Sequence, residues 1–311
     1  VTATLSGIRR EYAAAGDRPR SPREPLLVED IKLLVETARD RCKGWADEVH
    51  ERRDSAILLL GFAGAFRRSE LSELACGDVS VHRHDGLHVR MRKSKTDQEG
   101  RGTVKALPYT DSHVTCPPCA YVRWIQVVAA FNIGGRPSVI RLLRKRDLFG
   151  SHVCREGVPR TAARSPLFRA VAKNGNLGVK PLSGAAIHQT IRRRAEHADY
   201  DPTALAKLGG HSLRAGFVTQ GTRNGADGPA IARQTGHASL DSVEVYRREY
   251  APLVATLSVR SGCDLRTGRN CARYHCATLV LSETPCRLKP PTPFPVNACT
   301  HRNIVHLSKP A

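Results

Sequence analysis

The sequence contains no apolar run near the roughly 20 residues that a helix needs to cross a bilayer. Its most apolar stretch, Ile57-Leu-Leu-Leu60, is far shorter and reads as a buried element. The start of the chain lacks the charged residues, apolar run and small-residue cleavage site of a secretory leader. Neither an internal repeat nor a heptad seam is present, which argues against solenoids and long coiled coils. A soluble, intracellular protein with no membrane association is expected. Acidic residues are scarce: 29 Asp and Glu face 49 Lys and Arg, a formal charge of +20. No carboxylates cluster at a spacing suited to a catalytic metal, which argues against a metal-dependent nuclease.

Disulfide-framework spacing is also missing. Of ten cysteines, five (Cys263, Cys271, Cys276, Cys286 and Cys299) fall irregularly in the last fifty residues, so a reduced cytosolic compartment is expected. Cys116-Pro-Pro-Cys119 has the spacing of half a zinc site, but no second close pair follows in the sequence. These two are expected to be buried, idle thiols at a helix start. The tail cysteines with His275 and His301 follow no ligand pattern. No metal and no cofactor are expected.

The basic residues that are present recur along the whole chain rather than in one tail. Neutralising phosphates releases counterions and steers association, so a distributed excess of this size favours a polyanion, with nucleic acid first. At 311 residues the chain can bury a sizeable core and hold roughly two domains.

Val1 to Gly16 could form one basic helix, after which three prolines between Asp17 and Pro25 mark a linker. Helical spacing of Val28, Ile31, Leu34 and Val35 predicts a helix over 26–39, and a second covers 55–65. Between Cys76 and Tyr109 the pattern turns to short segments at 78–81, 87–91 and 103–107, a small antiparallel sheet. Helices are predicted again over 121–131 and after Ser183, a good N-cap, where Ile187, Ile191 and Ala195 line one face. On that helix Arg192, Arg193 and Arg194 form a cationic surface. The tail, rich in Cys, Thr, Pro and Arg, is expected to be mostly disordered. The fold class is mainly α with a small antiparallel β-sheet.

His211-Ser-Leu-Arg214 is followed by Gly236-His237 and, nine positions later, by Tyr246. These are the parts needed to cut a phosphodiester with a tyrosine hydroxyl: a nucleophile, a proton handler and cations for the non-bridging oxygens. Upstream, Ala65-Phe-Arg-Arg-Ser-Glu-Leu71 directly follows the buried apolar helix. Ser69 is expected to cap the next helix, leaving Arg67 in the turn, where its charge can point into a cleft.

From Ala65 to Tyr250 the chain resembles the tyrosine recombinases, the phage-type integrases and their Xer-like and Cre-like relatives. Their Gly-Leu-Arg-x-Ser-Glu-Leu box is similar to Ala65–Leu71, which puts the first family arginine on Arg67 and its supporting acid on Glu70. The His-x-x-Arg box falls on His211 and Arg214, Gly-His on Gly236-His237, and the nucleophile on Tyr246, favoured over Tyr250 by its spacing. The hairpin lysine fits Lys95 of Lys93-Ser-Lys-Thr96, with Lys93 as the alternative.

The resemblance implies a site-specific recombinase or integrase, encoded by a mobile element and working through a 3′-phosphotyrosyl intermediate. It would act as a homotetramer on double-stranded DNA in the cytoplasm, at the nucleoid. Arg68 joins Arg192, Arg193 and Arg194 as an expected DNA contact. A binding remnant without turnover and a type IB topoisomerase-like nicking-closing enzyme are the alternatives. The expected layout is residues 1–24 as the last helix of a core-binding domain plus linker, 25–257 as the catalytic domain, and 258–311 as the tail. The rest of the DNA clamp is expected to be missing from this chain, which would impair activity.

Overall fold

A computed structural model describes residues 2–16, 23–92, 102–144, 149–237 and 239–250, with 2, 3, 9, 242 and 247–250 described for the backbone alone. The chain divides into Val1–Arg260 and Ser261–Ala311. The second part, and with it the expectation for 258–311, lies outside the described residues.

The elements run α1 (Thr2–Ala14), α2 (Val28–Asp40), α3 (Trp45–Ala63), α4 (Arg68–Glu73), β1 (Val79–His82), β2 (Gly86–Met91), β3 (Thr103–Leu107), α5 (Pro117–Arg144), β4 (Arg169–Val171), β5 (Leu177–Pro181), α6 (Gly184–His197), α7 (Pro202–Lys207), α8 (Ser212–Arg223), α9 (Gly228–Thr235) and α10 (Asp241–Tyr250). No described helix is long and apolar enough to cross a membrane.

The core is built on α3 against α5. Ile57, Leu58 and Leu60 of α3 are sealed from solvent, as are Val122, Trp124, Ile125 and Val128 of α5. The buried Trp124 Nε1 donates to the Leu167 carbonyl at 2.9 Å, so the indole brings no unpaired donor into the core. Helix α5 is two helical pieces joined at Gly134 and Gly135, the latter at φ +58 where a side chain is disfavoured.

Helix α3 starts ten residues before the expected Ser55, and its extra turns carry Glu51, Arg52, Arg53 and Asp54, all buried. Sequence polarity placed them outside the helix; ion pairing places them inside it. Arg39 Nε meets Glu51 at 3.2 Å, and Arg52 Nη2 meets Glu48 at 2.7 Å. Asp54 accepts from Arg53, Arg193 and Arg194 at 2.8–2.9 Å.

The small sheet is antiparallel in the order β1-β2-β3, with Leu87 opposite Leu107 and Val89 opposite Lys105. Alternation puts Leu87, Val89 and Leu107 in the core, and Lys105 on the same inward face. A second, two-stranded sheet pairs β4 with β5. Ser183 caps α6 as expected, accepting from the Ala186 N–H at 3.1 Å. Ser69 does not cap α4: it lies inside the helix, and Arg67 occupies the N-cap. Helix α8 packs on the extended segment before α2, where the Leu26 N–H donates to the Ser212 carbonyl at 3.1 Å. A Cβ at Gly216 would stand 1.7 Å from the Leu26 carbonyl oxygen, so only glycine allows this approach.

Cys116 and Cys119 are buried at the start of α5 as expected, but they do not stand apart from other ligand residues. The fold carries His152 and Cys154 beside them. The sequence separates these two pairs by a whole helix, and linear spacing gave no sign of their meeting.

Candidate active site

Arg67 is oriented by its own helix start. It is the N-cap of α4, in extended backbone, and Glu70 reaches back to accept from the Arg67 backbone N–H at 2.8 Å and from Nη1 at 2.5 Å. One carboxylate thus satisfies an orphan helix N–H and holds the guanidinium. The turn before it places Ala65 at φ +46, a left-handed conformation that costs a non-glycine residue about 1 kcal/mol or more. The strained turn aims the Ala65 carbonyl at Arg214.

Arg214, in the first turn of α8, is only 1% exposed. Its Nη1 donates to the Ala65 carbonyl at 2.8 Å and to the Thr235 carbonyl at 2.5 Å, which ties α8 to the turn after α3 and to α9. Its Nε and Nη2 are buried without a hydrogen-bond partner among the described residues. Buried donors normally find acceptors, so two free ones on a held guanidinium form a cradle for an anion. Burial, then the charge of Arg67, push its pKa down to about 10, which leaves it charged at neutral pH.

Helix α9 ends at Gly236 in a left-handed cap, φ +65, and this turn delivers His237, whose Nδ1 lies 3.0 Å from Thr235 Oγ1. Helix α10 packs through Val243 on Val218 and Ile231, with Tyr246 at the margin of that cluster. There Tyr246 Oη lies 2.5 Å from His211 Nε2. Loss of solvent, then Arg214 and Arg67, hold His211 below the usual imidazole range. The same causes push His237 down to about 4. Burial raises the Tyr246 hydroxyl despite an opposing pull from Arg214. At neutral pH the pair is therefore a protonated phenol facing a neutral imidazole, the states needed for proton abstraction.

A cleft of about 480 Å³ opens among Arg67, Glu70, Lys105, Gln234, Thr235 and Gly236. Lys105 was not foreseen. Its Nζ donates to the Gly64 carbonyl at 2.7 Å and sits 4.7 Å from the centre of the Phe66 ring. Burial first, partly offset by Glu70, pushes its pKa down to about 8. The signal was available in the sequence: Lys105 shares the alternation of the buried Leu107. Lys95 and Lys93 lie outside the described residues, as does the Tyr250 side chain.

Arg67 and Glu70 line this cleft, and His211, Arg214, His237 and Tyr246 lie near them, close enough for their charges to act on one another. The arginines beyond it divide. Arg68 is exposed, with its stem against Gly210, and it surrounds His188 together with Arg192 and Arg23. Arg193 is partly exposed and pairs with Asp54. Arg194 corrects the expected cationic surface: it is 6% exposed and points inward to Asp54 at 2.8 Å. At one residue per 100° of helix, three successive arginines cannot share one face.

No protein-family model matches the chain. It is 29% identical over 246 residues to an integrase/recombinase XerD homolog of Selenomonas ruminantium, covering 79% of this chain and 59% of that protein. It is 26% identical over 244 residues to the tyrosine recombinase XerC of Alcanivorax borkumensis, covering 77% of this chain and 62% of that one. The chain therefore spans about three fifths of these relatives. A crystal structure of the XerH site-specific recombinase bound to a palindromic difH substrate aligns with 75% of this chain and 52% of its own, at 16% identity and a TM-score of 0.45. Over more than three quarters of its length the chain is similar in sequence to tyrosine recombinases.

Proposed function

We propose that this protein is a site-specific DNA recombinase or integrase that cuts and rejoins strands through a 3′-phosphotyrosyl bond. The observation that carries the reading is the 2.5 Å approach of His211 Nε2 to Tyr246 Oη. His211 takes the phenolic proton as Oη attacks phosphorus. The bond to the 5′ oxygen breaks, and that oxygen leaves with a proton from Lys95. The free donors of Arg214, with Arg67 and His237, hold the non-bridging oxygens as charge grows on them. The 3′ phosphate stays on Tyr246, so an incoming 5′ hydroxyl reverses the step without ATP. Lys105 acts as a positioning residue, holding the turn that carries Arg67. Double-stranded DNA is the partner, gripped in part by Arg68 and Arg192, and four copies assemble on it at the nucleoid in the cytoplasm.

The test is covalent trapping on a pool of nicked duplexes of randomised sequence. The wild-type chain should leave an adduct stable to denaturant, while Tyr246→Phe should leave none and still bind DNA. Adduct formation by Tyr246→Phe moves the nucleophile elsewhere, and a wild-type chain that binds without any adduct is a DNA-binding protein without turnover.

A further inference from the structure

Cys116-Pro-Pro-Cys119 at the start of α5 and the His152-Val-Cys154 segment, 33 residues downstream of Cys119, are separated by the length of that helix, yet their side chains converge. The three sulfurs and one histidine nitrogen all lie within 4.8 Å of one another. His152 Nδ1 is 3.3 Å from Cys119 Sγ and 3.7 Å from Cys154 Sγ. The cysteines are 0–4% exposed, whereas His152 is exposed and closes the cluster on its solvent side. None of these groups has a part in the chemistry proposed for the cleft.

We infer that Cys116, Cys119, His152 and Cys154 form a structural zinc site of three thiolates and one imidazole. Three observations carry this beyond proximity. Cys116 and Cys119 have the short internal spacing of a zinc-ligand pair, and three cysteines with one histidine are one of the common closed structural sets. The second ring nitrogen of His152, Nε2, donates to the Asp111 carbonyl at 3.0 Å, which fixes Nδ1 as the bare nitrogen facing the sulfurs. Cys116, Cys119 and Cys154 are all free, buried cysteines, tied up in no disulfide.

With Zn–S bonds of about 2.3 Å, tetrahedral ligands stand about 3.8 Å apart, so the four atoms need draw in by no more than about 1 Å. The local fold supplies a reason for the metal. Residues 149–154 cross the start of α5 without helix or strand, held by contacts such as Arg123 Nη2 to the Ser151 carbonyl at 2.8 Å. A four-ligand ion there ties this segment and the 109–116 loop to the helix that forms half of the core.

The test uses the whole chain, purified with a reductant. It should carry one zinc, and after metal removal Co²⁺ alone should give thiolate charge-transfer bands together with the visible bands of a tetrahedral site. Replacing all five tail cysteines, 263, 271, 276, 286 and 299, by serine should leave both readings unchanged, which confines the site to the first 260 residues. Cys119→Ser and Cys154→Ser should each lose the stoichiometric metal. A reduced wild-type chain that binds neither zinc nor Co²⁺ overturns the inference. So does metal that follows the tail cysteines, or a Cys116–Cys119 disulfide formed in a chain isolated without zinc.

Discussion

Lys105 Nζ donates to the Gly64 carbonyl at 2.7 Å, joining an inward-facing lysine of β3 to the turn that carries Ala65 and Arg67. The hydrogen bond accounts for a cation that is only 7% exposed, and it couples the sheet to the candidate active site. The position of β3 is thereby tied to the first arginine.

Lys105→Met should fold and slow cleavage by roughly 10². Substrates with sulfur in place of the departing 5′ oxygen need no protonation, so they should rescue Lys95→Ala and leave Lys105→Met slow. Rescue of Lys105→Met would make Lys105 the proton donor. Its pKa, about 8 in the folded chain against 10.5 unfolded, has a second consequence. The unfolded chain binds the extra proton between these values, so this group adds stability as pH rises from about 8 to 10.5, and Lys105→Met should flatten that slope in urea denaturation.

Arg214→Lys and Arg67→Lys should each reduce cleavage by roughly 10² or more, since lysine keeps the charge but loses the planar fork. Their stabilities should part. Arg214→Lys strips donors from two buried carbonyls, at about 1–3 kcal/mol each, whereas a lysine at 67 can still meet Glu70. Equal rates to wild type in single-turnover assays would remove either arginine from the site.

The second-order rate constant of cleavage reports the free protein's ionisations. His211 acts in its neutral form, so the rate is full above its pKa and falls as pH drops through it. Because that pKa is lowered, the acid limb should lie below about 6.5, the usual imidazole value. His211→Gln should remove the limb together with most of the rate. A limb above that value would place another group in the role of base.

Asp54 is fully buried among Arg53, Arg193 and Arg194, and Asp54→Asn should cost about 3–5 kcal/mol by leaving those charges uncompensated. Burial alone would raise its pKa, yet the three guanidinium groups outweigh burial and hold it below the ordinary carboxylate range. Its contribution is therefore complete above about pH 4 and lost as pH falls through the folded value. Thermal unfolding of the two proteins should differ by many degrees at pH 7 and converge in acid. An unchanged melting temperature at pH 7 would show the cluster to be energetically idle.

The sequence by itself determined several of the elements and the candidate site residues of the motif boxes. Periodicity marked α2, α6 and the three strands, because an apolar face at a spacing of 3.6 or 2 residues has one way to bury itself. Box order singled out Arg67, His211, Arg214, His237 and Tyr246, since each motif is local and its spacing survives in the chain. Tertiary structure alone decided which charges meet. Glu51 and Asp54 lie before the helix expected over 55–65 and are buried in the longer one, because their partners Arg39, Arg193 and Arg194 come from other helices. Cys116 and Cys119 read as idle because His152 and Cys154 return to them only after α5 has crossed the core. Pattern records which face of an element turns inward; the identity of what waits there depends on packing between segments far apart in the chain.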